Sequence, residues 1–208
     1  MTDPVPTDRT CPNCGAALPP LLAHARMVNC DFCGASVVLD DSVLRMAGQA
    51  GEMSDVPELI SLGGAVRLGD HGTFAATGHV RYDYGRGHWD EYHGTLDGGD
   101  PVWVSVDEGD VALQRPVPPH LAPEGGRELF RLGSVLRLED SEYRCAEVDS
   151  AVARAFRGQL PEPVAIGDRH LYANFTGPRG AILSGEIWDG GVAWYRGAWI
   201  DPFDVVAQ

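Results

Sequence analysis

Four of the five cysteines stand in two pairs, Cys11-Pro12-Asn13-Cys14 and Cys30-Asp31-Phe32-Cys33, with fifteen residues between the pairs. This C-x2-C-x15-C-x2-C spacing is that of a closed tetrahedral four-thiolate site, the chemistry of structural Zn²⁺. A glycine follows each second cysteine, Gly15 and Gly34, and glycine accepts the positive φ that a tight metal knuckle demands. Four thiolates leave no coordination position open, so the expected role of one zinc ion is to hold a fold together rather than to activate water. A segment this short builds no adequate core of its own. Structural zinc then supplies much of its folding free energy, on the order of 10–16 kcal/mol. The flanking sequences Arg26-Met27-Val28 and Ser36-Val37-Val38-Leu39 read as strands, and His24 as a loop residue.

A second concentration of reactive side chains is His79-Val80-Arg81-Tyr82-Asp83-Tyr84-Gly85-Arg86-Gly87-His88-Trp89-Asp90-Glu91-Tyr92-His93. With Gly85-Arg86-Gly87 as a three-residue hairpin loop, Arg81 falls opposite Glu91 and His79 opposite His93. One sheet face then carries His79, Arg81, Asp83, Trp89, Glu91 and His93. The expected role is an exposed protein-binding patch anchored by Trp89 and Arg81, residue types that dominate interface energetics. The same residues admit other readings. His79 and His93 could ligate a metal, Asp90 or Glu91 could act as a general acid or base beside them, or the face could be ordinary solvated sheet with cross-strand ion pairs. A loop one residue different in length would change every pairing. Trp188, Trp194, Tyr195 and Trp199 read as packing residues, with Trp194 and Tyr195 on opposite faces of a strand. Cys145 reads as a buried, inert thiol.

Composition limits the chemistry further. The formal charge is −14, with 30 acids against 16 bases, and every base is arginine. A chain without lysine has no Walker-type phosphate loop, pyridoxal Schiff base or Ser–Lys pair. The acidic balance argues against nucleic acid, which is bound by neutralising phosphates. A nucleic-acid-binding ribbon would need Arg26, Arg81 and Arg86 clustered on one surface. No apolar run approaches the ~18 residues of a membrane span, and the N-terminus lacks the features of a signal peptide. The expectation is a cytosolic protein.

The elements that must position these residues are mostly strands. Residues 1–40 read as the zinc ribbon and residues 41–57 as a linker. Residues 58–115 form a first β unit, with strands at 65–68, 73–84, 88–96, 102–106 and 111–114. Residues 116–128 form a Pro/Gly-rich connector, stiff and extended. Residues 129–208 form a second β unit, with strands at 135–138, 143–148, 171–175, 181–188 and 192–199. Only 151–157 looks helical. Residues 62–70 and 132–140 are identical at five of nine positions, and residues 103–109 echo 182–186 more loosely. The pattern predicts tandem copies. The predicted fold is therefore a small zinc ribbon followed by an antiparallel β sandwich or small barrel made of two units.

Trp89-Asp90-Glu91-Tyr92, Trp103-Val104-Ser105, Gly158-Gln159-Leu160-Pro161, Gly167-Asp168, Leu183-Ser184-Gly185-Glu186 and Tyr195-Arg196-Gly197 together resemble the bacterial domain-of-unknown-function family 4178. The resemblance covers residues 58–204, with a ribbon as a common N-terminal companion. Val104 and Val106 stand where the family more usually has leucine and an acid. The resemblance implies an all-β domain without an established activity. It also implies a cytosolic accessory of membrane-remodelling proteins of the phage-shock-protein-A type, part of envelope-stress systems, reaching the membrane only through that partner. It supplies no catalytic residues. The reading from sequence is a non-catalytic, zinc-binding interaction or scaffold protein.

Overall fold

The computed structural model describes residues 9–40, 43–54 and 56–208; the polar lead at residues 1–8 and positions 41, 42 and 55 of the expected linker lie outside these. The cysteines are framed by β1 (Met27–Asn29), β2 (Ala35–Asp40) and β3 (Val43–Gln49), paired antiparallel in that order. Two runs of five strands follow. The first is β4 (Ala65–Leu68), β5 (Thr73–Asp83), β6 (His88–Leu96), β7 (Asp100–Asp107) and β8 (Asp110–Pro116). The second is β9 (Val135–Leu138), β10 (Ser141–Leu160), β11 (Arg169–Thr176), β12 (Ala181–Trp188) and β13 (Gly191–Ile200). A short β14 (Val205–Ala207) returns to pair with β4.

Within each run, successive strands form antiparallel hairpins. Between the runs, β8 pairs with β13 and β5 with β10. Hydrogen bonds therefore pass round eight strands, β5-β6-β7-β8-β13-β12-β11-β10, and return to β5. Closing the ring leaves these eight without a free edge and creates an interior. The turns carry the chemistry that closure needs. Glu108 and Gly109, between β7 and β8, both have positive φ, 49° and 101°, as a two-residue hairpin turn that follows the strand twist requires.

The two runs match in detail. Gly63 N–H donates to Ala76 O and Gly133 N–H to Cys145 O, while Ala76 N–H reaches Gly64 O and Cys145 N–H reaches Ser134 O. A bulge interrupts β5 between Ala76 and Gly78, and another interrupts β10 between Cys145 and Glu147, at the same step after β4 and β9. The stronger sequence echo, 62–70 with 132–140, thus marks equivalent places. The looser one does not. The hairpin turns bring Asp107 into correspondence with Trp188, so Ser105 corresponds to Glu186 rather than to Ser184.

Alternation divides each ring strand between two environments. On β7, Val102 and Val104 face outward into a cluster with Ile60, Leu68, Phe74 and Tyr92. The second run covers its outer face with Phe130, Leu138, Tyr143, Phe175, Leu183 and Trp194. Val117, Leu121 and Leu129 join that cluster, so the Pro/Gly-rich connector is also a cover. A third cluster of Met27, Ala50, Tyr82, Trp89, Phe156 and Leu160 joins the cysteine sheet to the ring.

Two expectations fail. Residues 43–49, read as linker, form β3, because Val37, Val38 and Leu39 of β2 pair with Met46, Arg45 and Leu44. Residues 151–157, read as a helix, lie in β10. Local propensity yields here to ladders with β11 and β5 on both sides, and the small Ala151, Ala153 and Ala155 let the strand bury both faces.

The expected isolation of the cysteine sheet from the barrel also fails. Met27 pairs with Leu160 and Val28 with Gln159, and Gln159 accepts from Leu22 N–H while donating to Pro20 O. All five tryptophans lie in the barrel, so their fluorescence reports the barrel alone. Cys14→Ser should lower the thermal midpoint read by that fluorescence by about 5 °C or more. An unchanged midpoint would mean that the two parts melt independently.

Candidate metal centre and barrel cavity

The four sulfurs of Cys11, Cys14, Cys30 and Cys33 lie within 4.8 Å of one another. Cys11 Sγ and Cys33 Sγ are 3.7 Å apart, and Cys14 Sγ and Cys30 Sγ 3.8 Å. A disulfide would hold two sulfurs at about 2.05 Å, whereas a tetrahedron with metal–sulfur bonds of about 2.3 Å has edges of about 3.8 Å. The donor set fits one metal ion. The two knuckles are built alike. Gly15 N–H donates to Cys11 O and Gly34 N–H to Cys30 O, at 2.9 and 2.8 Å, with φ of 76° and 68° at the glycines. Asn13 Nδ2 donates to Cys33 Sγ at 3.4 Å.

The hairpin of β5 and β6 differs from the expected one by a single residue. Asp83 pairs with His88, leaving the four residues 84–87 in the loop, and Asp83 Oδ1 accepts from Gly85 N–H at 2.7 Å. Tyr84 N–H also donates to Gly87 O at 3.2 Å, so the turn proper is Gly85-Arg86, one residue shorter than the expected loop. Every downstream pairing shifts. Arg81 faces Asp90 rather than Glu91, and His79 faces Tyr92 rather than His93. The expected single face is thus divided between two, and the expected exposed patch is absent, because Trp89, Arg81, His79 and His93 are all buried, at 8% exposure or less.

His79 and Arg81 point out of the ring onto Asp90. His79 Nε2 lies 2.8 Å from Asp90 Oδ1, Arg81 Nε donates to Oδ1 at 2.7 Å and Arg81 Nη2 to Oδ2 at 3.0 Å. Arg81 Nη1 donates to Ser54 O and Oγ, and Glu58 lies 3.5 Å from Arg81. Burial pushes the Asp90 carboxyl up, but the bonds from His79 and Arg81 outweigh it and hold it below its ordinary range. This cluster fastens Ser54 and Glu58 to the barrel wall. Its buried guanidinium cannot meet a phosphate, so Arg26, Arg81 and Arg86 form no nucleic-acid surface. His93 points elsewhere, into contact with His24 and Trp103 at centroid distances of 4.9 and 5.1 Å, and burial lowers its pKa to about 4. Asp90 faces outward and Glu91 inward, so His79, Asp90, Glu91 and His93 share no catalytic pocket.

Trp89 and Glu91 face the interior, where side chains from seven ring strands converge on a cavity of about 280 Å³. A directed hydrogen-bond chain crosses it. Ser105 Oγ donates to Gln114 Oε1, Gln114 Nε2 to Ser184 Oγ, Ser184 Oγ to Asn174 Oδ1, and Asn174 Nδ2 to Glu147 Oε2. Tyr172 Oη also donates to Glu147. Glu186 borders both this cavity and a second of about 450 Å³, walled by Tyr82, His170, Tyr195, Trp188 and Glu162. Burial and the charge of Glu162 push Glu91 up to about 7, against the hydrogen bond it accepts from Trp89 Nε1 at 3.0 Å. Glu186 is raised well above the usual carboxylate range by burial and by Glu91 and Glu162.

A family model described as domain of unknown function (DUF4178) matches residues 62–202. The chain belongs to that family. No curated protein and no solved structure matches it. The DUF4178 match runs from the turn before β4 to just past β13 and so takes in the whole ring, leaving the cysteine sheet outside. Sequence reasoning missed the inner residues of its second half, His170, Tyr172, Asn174 and Glu186. The available signal was alternation, which sets Ser184 and Glu186 on one face of an otherwise apolar β12, but only ring closure shows that this face is interior.

The two acid environments lead to opposite pH effects. Asp90→Ala strands Arg81 and His79 and should cost about 3–5 kcal/mol in urea unfolding at pH 7. An effect under about 1 kcal/mol would show that the cluster holds nothing. The lowered Asp90 pKa supplies stability that is present above the ordinary Asp range and lost as pH falls through the folded value. Glu91 behaves inversely. Its stabilising proton is held below the ordinary Glu range and lost as pH rises towards about 7. Glu91→Gln should therefore shrink the decline in stability between pH 5 and pH 7.5, measured by thermal melts; a decline as steep as the parent's would count against this origin.

Proposed function

We propose that this DUF4178 protein is a non-catalytic interaction or scaffold protein, in which one structural Zn²⁺ held by Cys11, Cys14, Cys30 and Cys33 rigidifies a surface that docks on another protein. The supporting observation is Phe32, which sits between the second pair of cysteines and is 83% exposed. A large ring held in water at a metal-braced turn is the residue type that anchors interfaces. The same small sheet ends at β3, which has no strand on its outer side among the described residues and exposes Val43 and Met46. An open edge of this kind accepts a partner strand by backbone pairing. These features support a docking surface on the cysteine sheet rather than on the buried Trp89–Arg81 pair.

Zinc is favoured over other metals by the thiolate set and by sulfur separations that match its tetrahedral bond length. The partner we favour is a membrane-remodelling protein of the phage-shock-protein-A type, with the complex at the cytosolic face of the membrane. Its support is the sequence resemblance alone. No helix of the described residues is long and apolar enough to cross a membrane.

Protein purified without added metal should carry about one equivalent of zinc by elemental analysis. Phe32→Ser combined with Val43→Lys should leave metal content and thermal midpoint unchanged while abolishing capture of a partner from native host extract. If the double variant retains the wild-type set of captured proteins, the docking surface is not on the cysteine sheet.

A further inference from the structure

We propose that the larger barrel cavity binds a small organic cation, an alkylammonium or guanidinium group, between the carboxyls of Glu186 and Glu162 and the rings of Tyr82, Tyr195 and Trp188. The volume, about 450 Å³, suits a small ligand.

The charge balance points to the sign of the ligand. The barrel's other buried acid, Asp90, has a bidentate arginine and a histidine. Glu91, Glu162 and Glu186 have no ion pair with any arginine or histidine among the described residues. Their contacts are neutral: Trp89 Nε1 donates to Glu91, and Tyr195 Oη donates to Glu162 at 3.3 Å. The one arginine at the rim, Arg169, directs Nη1 to Ser150 Oγ. Glu162 pushes up the pKa of Glu91, and Glu91 and Glu162 together push up that of Glu186, a repulsion that a bound cation would relieve. An anion would add to it, and an apolar guest would leave the acids unpaired.

A second observation is independent of the acids. His170 is 9% exposed, and its Nε2 has no hydrogen-bond partner among the described residues. It lines the same cavity. Burial lowers its pKa to about 4, so the ring is neutral and Nε2 can accept an N–H from a ligand without repelling its charge. The ring faces complete the site. Tyr82 is packed against Trp89 at 5.1 Å and His170 at 5.0 Å, which fixes an aromatic wall, and aromatic faces attract ammonium and guanidinium groups.

No residue of the cysteine sheet lines the site, so cation binding and partner docking are tested by separate variants. The test is calorimetric titration, with tryptophan fluorescence in parallel, on the full zinc-loaded chain. The probes are n-butylammonium, choline and agmatine, against n-butanol and butyrate as neutral and anionic controls. At least one cation should bind one-to-one and perturb the fluorescence, while neither control does so. Glu186→Gln, whose fold is checked by its thermal midpoint, should weaken that binding by about tenfold or more. Glu162→Gln at the rim serves in its place should Glu186→Gln not fold. His170→Phe should weaken the N–H-bearing probes more than choline. The proposal is overturned if no cation binds more tightly than n-butanol, or if the glutamine variant binds as well as the parent.

Discussion

β10 hydrogen-bonds to four other strands along its 20 residues: β9 at its start, then β11, then β5, and finally β1. Ring closure, the cover on the second half and the docking of the cysteine sheet all depend on that one strand staying continuous. A strand of such length must twist and bend to follow a small ring, and β10 does so at two irregularities, between Cys145 and Glu147 and between Ala153 and Ala155. Near its end, Gly158 has φ 77°, and a Cβ there would lie 2.3 Å from Thr77 O. Only glycine lets β10 leave β5 and pass to β1 at this point.

The barrel handles buried acid in two opposed ways. Outside the wall, Asp90 is ionised and fully matched, and the matched Arg81 in turn fastens Ser54 and Glu58, which lie outside every strand. Inside, Glu91 and Glu186, with Glu162 at the rim, are crowded together and pushed towards their neutral forms. The first arrangement specifies structure, since removing either partner strands a buried charge. The second works against stability as pH rises, and groups disposed like this are found where a fold keeps a site for something else.

Much of this was legible in the sequence. The cysteine spacing located to the residue the four thiols that lie close enough to hold one metal ion, and alternation with glycine turns located β4, β6, β9 and β12 with their observed ends. The repeat at 62–70 and 132–140 marked equivalent strands because those segments keep both turn glycine and alternation. What was illegible depends on a single residue of register or on contacts distant along the chain. The Asp83 clasp on Gly85 decides which face Trp89 occupies, and composition does not encode it. The alanine-rich stretch of β10 has a helical look that only its two neighbouring strands override. The acids Glu91, Glu186 and Glu162 come from β6, β12 and the loop after β10, 24 to 95 residues apart along the chain, and nothing local links them.

The order of strands round the ring has one more consequence. β5 pairs with β10 and β8 with β13, each strand with the one holding the same rank in the other run, and Arg115 sits opposite Arg196. This is the arrangement of two identical subunits closing one another's open edges about a twofold axis, written into a single chain. In a dimer of identical halves, any interior residue would appear twice, and a pocket on the axis would have to be symmetric. Fusion removes that constraint. Ser105 corresponds to Glu186, Trp89 to His170 and Glu91 to Tyr172, so the interior has become lopsided, acidic and aromatic in different proportions on its two sides, as an asymmetric guest requires.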